Sequence, residues 1–206
     1  METLLIVIVL AVVAYFLFRG RTGGRQQVPT EYMPDTFVVL DLETTGLDPT
    51  RHEIIEIAAI RYRKGTTTHE TWQALVKPTR KVPDKITKIT GITQEMLDKE
   101  GEPLVQVLPQ FTEFIGSLRL VTFNAEFDMA FLNAATAKCG MVPFNNPVSC
   151  ALKMARRAWP DRKSYRLADI AKDGNLDSKD THRALADCQR ALTVYGAAAS
   201  SLKSVS

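Results

Sequence analysis

The chain has 206 residues, enough for one ordinary domain with a short extension and too few for a multidomain machine. Hydrophobic residues make up 45% and charged residues 24%, a globular balance that excludes wholesale disorder. A formal charge of +3 is far from a histone-like polycation. Three cysteines with no C-x-x-C pair exclude a disulfide framework and a zinc ribbon, and fit a reducing compartment.

The first element is an unbroken apolar run of fifteen residues, Leu4 to Phe18. As a helix it spans about 22 Å, against roughly 30 Å for a bilayer's hydrocarbon core. A cleavable signal peptide wants a basic start and a small-x-small cleavage site, but Glu2 and Phe18-Arg19-Gly20 stand there. Residues 1–18 are therefore expected to form one uncleaved transmembrane helix, with the bilayer thinning around it. Arg19, Arg21 and Arg25 follow the run, and the positive-inside rule keeps the bulk of the chain cytoplasmic on a single-pass anchor. Residues 19–34 read as a flexible basic tether, 35–200 as the folded domain, and 201–206 as a short polar tail.

Within the domain the pattern becomes α/β. Phe37 to Leu42, Ile54 to Tyr62 and Thr67 to Val76 read as three successive strands. Thr93 is placed as a helix N-cap, with Ile92 and Leu97 as a hydrophobic staple. Leu104, Val107, Leu108, Phe111 and Ile115 recur at helical spacing. Leu120 to Phe123 predicts a fourth strand, followed by a helix through Ala137, and Val148 to Ala151 a short fifth. Helices over Leu152 to Ala158, Arg166 to Lys172 and Arg183 to Ala199 complete the chain. This order predicts a mixed β-sheet with helices on both faces.

Three acidic clusters stand out. Asp41 and Glu43 end the first strand, and their spacing of two puts both carboxylates on one face while Leu42 turns away. Like charges so placed are costly unless something positive lies between them, and a divalent cation meets that need. Asp128 falls in the first turns of the helix after Asn124. His182 and Asp187 open the last long helix. Glu56, inside an apolar strand, reads as structurally paired. His52 and His69 have no company resembling a metal site.

Taken together, Asp41-Leu42-Glu43-Thr44-Thr45-Gly46-Leu47, Asn124-Ala125-Glu126-Phe127-Asp128 and His182 to Asp187 resemble the DEDDh branch of the 3′→5′ exonucleases. That family includes the proofreading epsilon subunit of bacterial DNA polymerase III. The likeness runs from about Phe37 to Tyr195. Histidine five residues before the last aspartate is the spacing of this branch. In the sister branch a tyrosine stands four before, where this chain has Arg183. Phe123 departs from the pattern, because many relatives carry histidine there.

The resemblance implies a ribonuclease H-like fold and a metal-dependent 3′→5′ exonuclease that releases 5′-nucleoside monophosphates. Asp41, Glu43 and Asp187 would hold one Mg²⁺ or Mn²⁺. Asp41 would bridge to a second ion supported by Asp128, and His182 would act as base. Thr44, Thr45, Leu47 and Asn124 would meet the terminal nucleotide. Arg156, Arg157, Arg162, Lys163 and Arg166, interleaved with Trp159 and Tyr165, are candidates for contacts to a nucleic-acid backbone. Single-stranded DNA with a free 3′ end is the favoured substrate, with RNA or oligoribonucleotides the alternative. A polymerase proofreading subunit and a catalytically silent nucleic-acid-binding scaffold are the competing roles. All four carboxylates and the histidine are present, which favours an active enzyme. Only the small, polar Gly196 to Ser206 follows the last strong helix, which favours a free-standing one.

Overall fold

The computed structural model describes residues 33–174 and 183–203. The expected anchor at 1–18, most of the tether and His182 lie outside the described residues. Among the described residues no helix is long and apolar enough to cross a membrane.

The first three strands form an antiparallel meander, β1 (Thr36–Thr44), β2 (Ile54–Arg63) and β3 (Glu70–Leu75). Two short strands, β4 (Leu120–Thr122) and β5 (Val148–Cys150), add on the other side of β1 in parallel. The sheet order is β3-β2-β1-β4-β5, so the sheet is mixed, with β1 at its centre.

Strand alternation sorts β1 between two cores. Val38, Leu40 and Leu42 face the helices α3 (Leu104–Ile115) and α4 (Ala125–Lys138), packing on Val107, Leu108, Phe111, Phe131 and Leu132. Phe37 and Val39 face the opposite way, toward α5 (Ala151–Ala158) and α7 (Ala184–Lys203). On that side α7 presents Ala184, Cys188, Ala191 and Ala198, all with no exposed surface. Small side chains let this helix lie close to the sheet, and Cys188 Sγ reaches the Ala58 carbonyl at 3.3 Å. Helices thus cover both faces, as the alternation of strands and helices predicts. A sixth helix, α6 (Leu167–Asp173), packs through Ile170 on Val194 of α7.

One helix has no counterpart in the sequence reading. Here α1 (Asp84–Thr90) is rich in β-branched residues, which disfavour helix. Its ends and its packing make it. Pro83 stands at the N-cap, and Gly91 adopts a left-handed φ of 72°, its N–H bonding the Thr87 carbonyl. Ile86 packs against a small core of Ile55, Val82, Ile92 and Leu97. The next helix, α2 (Gln94–Glu100), starts as expected, with Thr93 Oγ1 accepting from the Met96 N–H at 3.1 Å and Ile92 and Leu97 buried together.

Candidate active site

Asp41 and Glu43 share the face of β1 that Phe37 and Val39 occupy further back, so they point toward α7. Asp187 lies one turn inside that helix. Ligand oxygens of Asp41, Glu43 and Asp187 all fall within 4.8 Å of one another. Residues 146 positions apart are thus brought to one point by a central strand and the start of the last helix. The β1–β2 register breaks between Glu43 and Thr44. Such an irregularity re-aims the chain at the edge of a site.

Asp128 approaches from the start of α4 and is buried. Thr122 Oγ1 donates to its Oδ2 in a short hydrogen bond. Thr122 is itself fully buried, so the pair satisfies two groups that would otherwise be stranded.

Four carboxylates in so small a space repel one another. Burial, then the charges of Asp128, Asp187, Glu43 and Glu56, hold the Asp41 carboxyl well above its ordinary value. Burial, then Asp187 and Glu56, push Glu43 up to about 8, with Arg183 acting in opposition. Burial pushes Asp128 up to about 7, against the hydrogen bonds from Thr122 and backbone N–H groups. An all-oxygen donor set that clings to protons near neutral pH is a site short of positive charge. Hard divalent cations fit such a set, and thiolate-seeking ions do not.

Three neighbours complete the geometry, and only one was anticipated. Glu56 is buried and paired, as its apolar surroundings suggest: it holds Arg183 in a salt bridge at 2.6 Å and accepts from Gln73 at 2.7 Å. Arg183 itself, and Arg190, whose Nη1 lies 2.7 Å from Asp187 Oδ1, were not read as part of the site. The i, i+3 spacing of Asp187 and Arg190 was the available signal for the second.

Three of the four proposed terminal-nucleotide residues, Thr44, Thr45 and Leu47, lie at and just beyond the end of β1. Thr44 Oγ1 donates to the Gly46 carbonyl at 2.6 Å. Thr45 exchanges backbone and side-chain hydrogen bonds with Glu53, and its Oγ1 lies 3.3 Å from His52 Nδ1. His52 is therefore a loop-ordering residue that the sequence reading set aside. A Cβ at Gly46 would sit 2.5 Å from the His52 ring, which explains the glycine. Leu47 is 83% exposed at the loop tip, a large apolar side chain left open among the described residues. Asn124 stands at the N-cap of α4 yet makes no side-chain cap bond, and is exposed. Phe123 turns inward, packing against the cluster of Ala155, Ile170 and Val194.

The basic stretch runs from the last turn of α5 to the start of α6. Trp159, at its centre, donates from Nε1 to Ser201 Oγ at 3.2 Å. Ser201 is fourteen residues beyond Asp187 on α7, about 21 Å along the helix axis. Arg156, Arg157, Lys163 and Arg166 are exposed, with Arg156 over the Tyr165 ring. Arg162 is committed to Asp173 at 2.8 Å. A cavity of about 410 Å³ lies elsewhere, lined by Ile54, Val76, Leu104 and Phe131, and contains none of the cluster's carboxylates.

Comparison with known proteins agrees with this geometry. The family profile described as Exonuclease (RNase_T) matches residues 38–195. The chain is 40% identical over 161 residues to the DNA polymerase III subunit epsilon of Aquifex aeolicus, covering 78% of each protein. It is 38% identical over 154 residues to the PolC-type DNA polymerase III of Halalkalibacterium halodurans, matching 74% of this chain but only 10% of that much longer one. Among solved structures, the E. coli exonuclease I–ssDNA complex in its zinc-bound form superposes with a TM-score of 0.68 at 21% identity, over 79% of this chain and 39% of that one. That likeness shows the ribonuclease H-like fold. The chain belongs to the exonuclease family to which the 3′→5′ exonuclease of DNA polymerase III epsilon belongs, a family that works with two divalent metal ions.

Proposed function

We propose that the protein degrades single-stranded DNA from its 3′ end, releasing 5′-nucleoside monophosphates. The observation that carries this reading is the convergence of Asp41, Glu43 and Asp187 within 4.8 Å at the end of the central strand. Asp41, Glu43 and Asp187 would hold one metal ion, with Asp41 also serving a second that Asp128 supports. Bound there, the ions supply an activated water and charge stabilisation for the leaving 3′-oxygen. Asp128, fixed by Thr122, keeps one carboxylate aimed at the cluster. His182 is assigned the water's proton, as its place five residues before Asp187 and the general suitability of histidine as a base imply.

Leu47 and Asn124, exposed on two loops, are assigned to the terminal base and sugar, with Thr44 and Thr45 shaping the loop between them. Arg156, Arg157, Lys163 and Arg166 are read as contacts for the nucleic-acid backbone. A pocket closed around a free 3′ end predicts that a 3′-phosphate blocks degradation, whereas a 5′-phosphate leaves it intact. Digestion of a circular single strand at a rate comparable to the linear one would contradict this. Matched RNA is the second arm of that assay, and faster cleavage of RNA would move the substrate assignment.

The apolar run at 4–18 is read as an anchor and residues 19–34 as its tether, with the domain on the cytoplasmic side. The fold is favourable to this arrangement. β1 starts at Thr36, where the chain comes in, and reaches Asp41 five residues on, about 17 Å further along the strand. The carboxylates therefore lie at the opposite end of β1 from the point where the chain enters it. The full chain is expected to sediment with membranes, and removal of residues 1–18 to release it into the supernatant. Equal sedimentation of both forms would refute the anchor.

A further inference from the structure

Glu56 stands directly across the β1–β2 ladder from Glu43. Two glutamates in that relation repel, and burying the second one completely makes matters worse. The hydrogen bonds show what the arrangement achieves. Oε1 of Glu56 accepts from Gln73 Nε2 at 2.7 Å and from Arg183 Nη2 at 2.6 Å and Nε at 3.1 Å. Oε2 accepts the Ala184 N–H at 2.9 Å and a longer bond from Arg183 Nε at 3.3 Å. Both oxygens are thus engaged by the protein, so Glu56 is no metal ligand despite its position.

Its partners are the residues that start α7. Ala184 N–H is one of the amides a helix leaves unsatisfied at its first turn, and a carboxylate there also meets the positive end of the helix dipole. Arg183 in turn offers its carbonyl to the Asp187 N–H at 3.0 Å. The chain of contacts runs from β2 through Glu56 to Arg183 and on to the backbone of Asp187. Arg190 then holds the Asp187 side chain from one turn further along. Arg183 also sets a fixed positive charge near Glu43, which it favours in the ionised form.

We propose that Glu56 is a positioning residue of the metal centre, clamping Arg183 and the Ala184 N–H so that α7 presents Asp187 to Asp41 and Glu43. The sequence distance explains the need. Glu56 and Arg183 are 127 residues apart, and their ion pair ties the start of α7 to β2. The same clamp accounts for an arginine four residues before Asp187.

The proposal rests on reading the carboxylates as a metal centre, and its test separates the two ideas. The EDTA-treated full chain is titrated with Mn²⁺ by calorimetry, as wild type, Glu56→Gln, Arg183→Lys and Val194→Ala. The last removes buried volume from α7 away from the site and serves as a control for general destabilisation. Glu56→Gln is expected to weaken Mn²⁺ binding roughly 10- to 100-fold, the range for residues that orient a ligand. Arg183→Lys, which keeps the charge but not the fork, should weaken it less. Hydrolysis by Glu56→Gln at saturating Mn²⁺ should recover to within a few-fold of wild type. In metal-free protein, hydrogen exchange at the Asp187 amide should accelerate in Glu56→Gln and stay unchanged in Val194→Ala. Mn²⁺ binding by Glu56→Gln and Arg183→Lys within twofold of wild type, or no greater loss than in Val194→Ala, would overturn the clamp. Wild type that binds no Mn²⁺ would sink the metal-centre reading instead, and the exchange rates would then decide the clamp alone.

Discussion

Asp41→Asn is expected to lower hydrolysis by roughly 10³-fold or more and, in the same protein, to raise the melting temperature measured in EDTA. The two effects have one cause. Asp41 is the carboxylate most pressed by its neighbours, with burial and the charges of Asp128, Asp187, Glu43 and Glu56 all disfavouring its ionised form. An amide of nearly the same shape removes that charge without opening a cavity, so the metal-free fold relaxes. The gain is on the order of 1–3 kcal/mol, or roughly 3–8 °C for a domain of this size. The loss of activity follows from the proposed role, in which Asp41 would serve two cations and a neutral amide would be a poor substitute. Asp187→Asn should lose activity similarly. Hydrolysis by Asp41→Asn at half the wild-type rate or better, with the same metal requirement, would remove Asp41 from the centre of the site.

The second large effect is a pH dependence that metal reverses. Glu43 rises from an ordinary 4.5 to about 8 and Asp128 from 3.8 to about 7. A carboxyl whose pKa is raised by folding is protonated in the folded state at pH values where the unfolded chain has already released the proton. Its contribution to stability is fully present below the unfolded value and is lost as pH rises through the folded one. In EDTA, the protein should therefore be most stable near pH 4–5 and lose stability progressively to about pH 8. Divalent metal competes with those protons, so Mn²⁺ should bind more tightly as pH rises through the same window and should stabilise the protein most at its upper end. Melting curves at pH 5, 6.5 and 8, with Mn²⁺ or EDTA, check this. A metal-free protein more stable at pH 8 than at pH 5 would mean the carboxylates do not share one site.

Much of this site is legible from local pattern. The alternation in Phe37 to Glu43 assigns Leu42 to one core and Asp41 and Glu43 to the opposite face, and the strand sits that way. Thr93 and its flanking Ile92 and Leu97 announce a helix start through contacts a few residues long. What stayed hidden depends on contacts between distant positions or on packing that overrides propensity. Nothing near Arg183 in sequence points to Glu56, and nothing near Thr122 says that its hydroxyl will meet Asp128 rather than solvent. Helix α1 opposes its own β-branched composition and forms because Gly91 caps its C-terminus and Ile86 packs on an apolar cluster. The basic stretch is legible as composition alone: it suits a nucleic acid, but only long-range contacts such as that of Trp159 with Ser201 set where it sits on the fold.

The most direct test is stepwise shortening of a single-stranded DNA labelled at its 5′ end by the EDTA-treated full chain, before and after Mg²⁺ or Mn²⁺ is restored. No shortening is expected in EDTA. After metal is added, a ladder is expected that retracts one nucleotide at a time from the 3′ end, with 5′-monophosphates as product. Shortening that proceeds equally well in EDTA, or immediate release of the 5′ label as a mononucleotide, would contradict that expectation.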